Sequence, residues 1–329
     1  MTAKKVLIYG ATGAIGTNLI EIMARRRPGW TVLAASRSGG ADSYLASLEL
    51  DNVEMVKGDI ENLDDARKLT EDVDMVYCCI GFPQYETKYW AKHWPIVVDN
   101  LLEVTSSTRP LIFCDNLYAY GPKTNISTST ETIPPSLESK PGVRATIRQS
   151  LQKRMQSDPN SIVVVGGAEF FGPRLEGKTL MGDMFFGKIV AGERPMALGS
   201  ANVEHDFCYA RDFSYALYIV ASQPERSMGK FWICPHSVKN QTLRELATKT
   251  HGILGSSTDR GVHVLPVFMV KVLGIGMGIL REMKEMMPFW AHHYTIDDSE
   301  FCSTFQFNAT PAHDAIRETL DYYQSKEKK

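Results

Sequence analysis

The sequence predicts a doubly wound α/β fold, a parallel sheet covered on both faces, with a smaller C-terminal lobe. Three observations carry this. Val- and Ile-rich runs recur at Val6–Tyr9, Thr31–Ala35, Val53–Val56, Met75–Ile80, Pro110–Cys114 and Ile162–Val165. Between most of them lie amphipathic stretches of helical period, Asn18–Arg26, Leu63–Glu71 and Ile96–Thr105. Apolar runs without polar alternation, separated by helices, belong to parallel strands buried on both faces. The third observation is a glycine loop, Gly10–Gly16, between the first strand and the first helix.

Composition narrows the function classes. The chain has 329 residues, 43% of them hydrophobic, enough for one large domain or two intertwined ones and too apolar for disorder. A formal charge of -2 gives no electrostatic footprint for nucleic acid. The six cysteines form no C-x-x-C pair, and most sit in apolar runs, so a reduced, cytoplasmic setting is expected. Five residues precede the first strand, which leaves no room for a cleavable signal. From Val262 to Leu280 the chain is apolar over nearly the length that spans a bilayer. His263, Pro266, Lys271 and three glycines interrupt it, so a buried or pocket-lining helix is expected there rather than a membrane segment.

Taken in order, the strand ends hold the candidate ligand groups. In the loop, Gly10 permits the tight turn, Gly13 lets the backbone approach a pyrophosphate, and Gly16 allows close helix packing, with Thr12, Ala14 and Ile15 between them. The helix N-terminus adds oriented N–H donors. This is the dinucleotide cradle of a Rossmann fold. At the second strand end an NAD site usually places an acidic residue. Here Ser36, Arg37 and Ser38 precede any carboxylate, which favours a 2′-phosphate and hence NADP(H) over NAD(H). After the third strand, Gly58-Asp59-Ile60 offers a carboxylate for the adenine edge, or a cap for the next helix. After the fourth, Gly81 falls where backbone passes the nicotinamide ribose.

Further along, Lys123–Ser139 reads as an exposed loop and Val143–Met155 as a helix. Beyond Pro173 the alternation of strand and helix breaks down. Residues 1–172, rejoined by 203–236, are expected to form the dinucleotide domain, and 173–202 with 237–329 the substrate lobe. Phe171, Arg174, Met181, Met184, Phe185 and Phe186, with Val264–Met287, suggest an apolar pocket wall. His292 and His293 are adjacent and lack metal-ligand spacing, so no metal is expected.

Several motifs occur in one order: Gly10–Gly16, Gly58-Asp59-Ile60, Leu117-Tyr118-Ala119-Tyr120-Gly121-Pro122, Glu169-Phe170-Phe171-Gly172-Pro173 and the segment His205–Asp212. Together they resemble the extended short-chain dehydrogenase/reductase superfamily, which includes nucleotide-sugar epimerases and dehydratases. The resemblance implies a Tyr-x-x-x-Lys helix and a Ser or Thr after the fifth strand. Aligned on Tyr120-Gly121, the Ser position falls on Asn116, the tyrosine position on Lys140 and the lysine position on Arg144. The usual engine is absent, as in an atypical epimerase/dehydratase-like subgroup. Tyr322 and Lys326 do make a Tyr-x-x-x-Lys, but far in sequence from every cofactor motif, so it is set aside.

Other residues become candidates. Tyr118 is a proton donor to a substrate oxygen, or a packing residue. Lys140 and Arg144 are the cations beside it and on the ribose, Asn116 an orienting group, and Asp115 a second acid or base. Tyr120 is expected to pack within its loop, and His205 to anchor the returning chain. Three functions follow. The first is an NADP(H)-dependent oxidoreductase acting on a small or partly apolar carbonyl or alcohol. The second is a nucleotide-sugar epimerase or dehydratase. The third is a non-catalytic NADP(H) sensor. A small-molecule substrate and a homodimer are the expected partners.

Overall fold

The structure, a computed structural model, describes residues 3–40, 43–256, 260–273 and 278–327. The six expected strands form as Lys5–Tyr9 (β1), Thr31–Ser36 (β2), Val53–Lys57 (β3), Met75–Cys78 (β4), Leu111–Asn116 (β5) and Ile162–Gly167 (β6). Five short strands follow: Met196–Leu198 (β7), Glu204–Phe207 (β8), Phe231–Ile233 (β9), Val238–Thr242 (β10) and His263–Leu265 (β11). The main sheet runs β3-β2-β1-β4-β5-β6-β9, parallel at every pairing. Strand order reverses between β1 and β4, and open sheets of this kind take ligands in the crevice outside such a reversal.

The helices of the first half are Ala14–Arg26 (α1), Ser43–Ser47 (α2), Leu63–Thr70 (α3), Thr87–Val104 (α4) and Lys140–Ser157 (α5). Val6 and Ile8 of β1 meet Leu19, Met23, Phe213 and Leu217, from α1 and the helix Ala210–Ser222. Leu7 and Tyr9 point the other way, into a core with Val97, Leu101, Ile147 and Leu151 of α4 and α5. Successive strand residues face opposite sides, and both sides are covered. That is why the strands read as unbroken apolar runs.

Helix starts differ from expectation. α1 opens at Ala14, directly on the glycine loop. α4 begins at Thr87 and runs through Pro95, where a helix would ordinarily break. Its buried stripe, Trp90, Trp94, Val97, Val98 and Leu101, holds it together across the missing hydrogen bond. α5 starts at Lys140 because Ser139 caps it, accepting a 3.1 Å bond from the Gly142 N–H, with Pro141 in the first turn.

In the C-terminal half, β8 pairs antiparallel with β10, and β11 pairs parallel with β7. Phe171, Met181, Phe185 and Phe186 are core there, and Phe171 stacks on Phe186 at 5.7 Å. Side chains that fill a core in this way do not wall a pocket, so the expectation gives way for these four, while Met184 is exposed and Arg174 half-buried. The apolar stretch from Val262 is not one helix either. After Pro266 it forms Val267–Leu273 and then Gly278–Met283, and 274–277 lie outside the described residues. Among the described residues no helix is long and apolar enough to cross a membrane.

Candidate active site

The glycine loop is built for close approach. Gly10 has φ +81°, and a Cβ there would lie 2.5 Å from the Cys79 carbonyl oxygen at the end of β4. A Cβ at Gly16 would lie 2.2 Å from the Gly10 oxygen, so α1 packs directly on the turn. Gly13 donates its N–H to the Gly10 carbonyl at 3.0 Å. It opens α1 with no side-chain cap and no acidic residue in the first turn. The positive end of a 13-residue helix therefore faces the crevice without an internal counter-charge, which suits a pyrophosphate. Ala14 is buried, Thr12 is exposed, and Gly13 and Ile15 are half-buried along this edge.

At the end of β2, Ser36 Oγ donates to the Gly40 carbonyl at 3.1 Å and accepts the Gly39 N–H at 3.0 Å. Ser38 accepts the Gly40 N–H at 3.3 Å. These bonds shape the loop and leave Arg37 exposed, with no ion pair among the described residues. Asp59 accepts the Glu61 N–H at 3.0 Å, and Ile60 is buried. The capping alternative for Asp59 falls away, because Asn62 caps α3 by accepting from Asp64 and Asp65. Gly81 is exposed, with open space where a Cβ would stand.

Past β5 the candidate residues split into two groups. Asn116 Oδ1 accepts the Tyr118 N–H at 3.1 Å, fixing the turn that presents this tyrosine. Tyr85 donates its hydroxyl to Tyr118 Oη at 3.4 Å, and Phe289 packs on the Tyr118 ring at 5.3 Å. Burial pushes the Tyr118 phenol up; the Tyr85 bond lowers it and Glu169 raises it. Tyr120 is buried and accepts from Arg148.

The two expected cations are held elsewhere. Lys140 is fully buried. Its Nζ donates to Glu285 at 2.6 Å, to the Glu282 carboxylate at 3.1 Å and carbonyl at 2.9 Å, and to Thr87 Oγ1 at 3.2 Å. The same carboxylates accept the backbone N–H groups of Thr87 and Lys140, which open α4 and α5. The Lys140 ammonium lies over the Tyr85 ring at 4.6 Å, so Tyr85 stands between it and Tyr118. Arg144 lies 3.4 Å from Asp115 and stacks over Trp94 at 3.9 Å. Burial lowers the Arg144 pKa and raises that of Asp115. Among the described residues, one Asp115 oxygen and two Arg144 nitrogens keep no hydrogen-bond partner.

A second constellation follows β6. His205 Nδ1 lies 2.9 and 2.8 Å from the two Glu169 oxygens, and the His205 ring is fully buried against Trp290 at 5.4 Å. Burial pushes the Glu169 carboxyl up, opposed by His205. Sequence reading named both residues within motifs without pairing them. It missed Tyr85, Glu282 and Glu285, which no local pattern distinguishes. The buried, tryptophan-rich face of α4 was the one available signal for the Arg144 seat.

Residues 6–233 match the model of a family described as "NAD dependent epimerase/dehydratase family". Among solved structures, the chain is similar to dTDP-glucose 4,6-dehydratase from Bacillus anthracis in complex with NAD, at 16% identity and a TM-score of 0.78, covering 99% of this chain and 98% of that one. UDP-glucuronic acid 4-epimerase from Bacillus cereus in complex with NAD aligns at 17% identity and 0.75, covering 98% and 99%. The Bordetella bronchiseptica enzyme WbmH in complex with NAD+ aligns at 16% and 0.71, covering 98% of each chain. At these identities the structures establish the fold. No curated protein matches the sequence.

Proposed function

This chain belongs to the NAD dependent epimerase/dehydratase family, and from that premise we propose that it uses a nicotinamide dinucleotide to oxidise or eliminate at an alcohol carbon of a small-molecule substrate. The single observation that carries the reading is the uncapped α1 N-terminus at Gly13, beside Gly10 and Gly16, where added Cβ atoms would collide with backbone. Bound there, the dinucleotide supplies the hydride acceptor and donor. Gly13, Ala14 and Ile15 hold its pyrophosphate, Asp59 and Ile60 flank the adenine, and Gly81 passes the ribose. Arg37 with Ser36 and Ser38 receives a 2′-phosphate, which makes NADP(H) the preferred form. Tyr118 and Asn116 line the substrate-oxygen position at the carboxyl end of β5. We place Lys140 as a tether of the C-terminal segment and Arg144 as the counter-ion of Asp115.

The substrates named for the similar structures support a nucleotide sugar. A second reading, a neutral and partly apolar alcohol or carbonyl, rests on a specific observation. Lys140 and Arg144 at this edge are already paired with Glu282 and Glu285 and with Asp115, and so offer no free charge to a diphosphate. The test begins with nucleotide extracted from purified protein, then parallel titration with NADPH and NADH. Tighter NADPH binding, lost in Arg37→Ala, supports the phosphate clamp; preference for NADH overturns it. Turnover of UDP- or dTDP-sugars against an aldehyde and ketone panel separates the two substrate classes. Binding with no turnover in either panel leaves a sensor.

A further inference from the structure

The Tyr118 hydroxyl can donate a proton, but burial raises its pKa and no unpaired cation adjoins it among the described residues, so it is a poor base. We propose that His205, oriented by Glu169, is the acid–base group that exchanges a proton with the substrate oxygen in place of the missing Tyr-x-x-x-Lys. The proposal rests on the dinucleotide-enzyme reading above.

Four observations meet at this pair. Both Glu169 oxygens sit on Nδ1, which fixes the imidazole and leaves Nε2 as the exchanging atom. Nε2 is buried and has no hydrogen-bond partner among the described residues, whereas buried polar atoms are nearly always paired. Gln241, opposite His205 across the β8–β10 pair, leaves Oε1 equally unpartnered. Opposite residues of an antiparallel pair share a face, so two buried polar atoms await a donor or acceptor there. Finally, Glu169 adopts φ +50°, a left-handed backbone unfavourable for a side chain of this size and characteristic of functional positions.

The location fits the role. Gly167 pairs with Asn116 across β6 and β5, so Glu169, two residues on, stands at the carboxyl edge beside Asn116 and Tyr118. Tyr118, Ala168, Trp290 and Tyr294 belong to one apolar cluster around it. Among the described residues, Glu169 after β6 touches the imidazole, Tyr294 from the returning chain lies 6.4 Å from it ring to ring, Asp206 follows it on its own strand, and Tyr118 after β5 feels the Glu169 charge. Asp206 is bonded to the Asn240 and Ile296 N–H groups. In the oxidative direction the alcohol O–H bond breaks and its proton goes to Nε2. The C–H electron pair leaves as hydride to an oxidised nicotinamide dinucleotide, and the C=O bond forms. Glu169, a positioning residue, stabilises the resulting imidazolium, and the reverse step returns the proton.

The test needs no identified substrate. Dissociation constants for NADP+ and NADPH, or for NAD+ and NADH if these bind more tightly, are measured from about pH 5.5 to 8.5, the window in which imidazole titrates. An imidazolium beside a cationic nicotinamide weakens the oxidised form alone, by about ten-fold toward low pH. His205→Gln should abolish this dependence, Glu169→Gln should weaken it, and Tyr118→Phe should retain it. Equal pH dependence in wild type and His205→Gln, with both cofactor forms bound, overturns the proposal. Failure of wild type to bind either form would instead sink the dinucleotide reading. If the variants do not fold, 15N-histidine spectra of the wild type decide. One of the eight histidines must titrate differently with NADP+ than with NADPH, and none doing so also overturns the proposal.

Discussion

Lys140→Met separates a structural lysine from a catalytic one. The variant removes a fully buried ammonium that bonds Glu285 at 2.6 Å and Glu282 at 3.1 Å. It leaves two carboxylates sharing Thr87 and the starts of α4 and α5. Breaking a buried ion pair from one side costs about 3–5 kcal/mol. The carboxylates here are 20% and 23% exposed, so water screens part of the loss and about 3 kcal/mol is the expected figure. With an unfolding entropy of about 2.1 cal/mol/K per residue, a chain of 329 residues shifts by about 1.4 °C per kcal/mol, so Tm should fall by roughly 4 °C. Adding Glu282→Gln and Glu285→Gln to Lys140→Met should recover most of it, because no unpaired charge remains. Dinucleotide affinity should stay within about three-fold, under 1 kcal/mol. Burial opposes ionisation of Glu282, but the Thr87 N–H and Lys140 outweigh it and hold its pKa below the usual carboxylate range. A depressed carboxylate stabilises above its unfolded pKa and loses that contribution as pH falls through its folded value. The gap between wild type and Lys140→Met should therefore close below about pH 4. Unchanged Tm with lost cofactor binding or turnover would refute the tether and restore Lys140 to catalysis.

Three further predictions follow from the same structure. Gly16→Ala forces a Cβ to 2.2 Å from the Gly10 carbonyl oxygen, so dinucleotide titration should show binding lost, while Gly29→Ala, with open space around it and no place in the cradle, should be tolerated. Asp115→Asn strands the buried Arg144 charge and should cost about 3 kcal/mol in urea denaturation, whereas Asp115→Leu with Arg144→Met should cost less than the two single changes added. His236 is buried, which lowers its pKa to about 4 against the opposing pull of Asp298. The unfolded chain takes up this proton near pH 6.5 and the folded chain does not, so stability should decline between about pH 6.5 and 4 and level off below. The urea midpoint of His236→Gln should fall less over that window than the wild type's.

The sheet, the glycine loop and the order of the strand-end motifs were legible from sequence because each rests on local pattern. Unbroken apolar runs need only two covered faces, and a strand–glycine–helix junction needs only adjacent residues. Pro95 shows the limit of local rules, since the burial of Trp90, Trp94 and Leu101 against the sheet outweighs one missing N–H. The roles of the cations were not legible at all. Lys140 and Arg144 stand at the sequence positions expected of catalytic groups. Their charges are spent on Glu282 and Glu285, brought from the C-terminal half, and on Asp115 at the end of β5. Likewise Glu169 and His205, separated by 36 residues, meet only where the chain after β6 runs beside β8. Sequence by itself determined which backbone could bend around a dinucleotide, because that depends on short-range sterics. Tertiary structure alone decided which charges are free, because a buried ion must find its counter-ion in space, however distant in sequence.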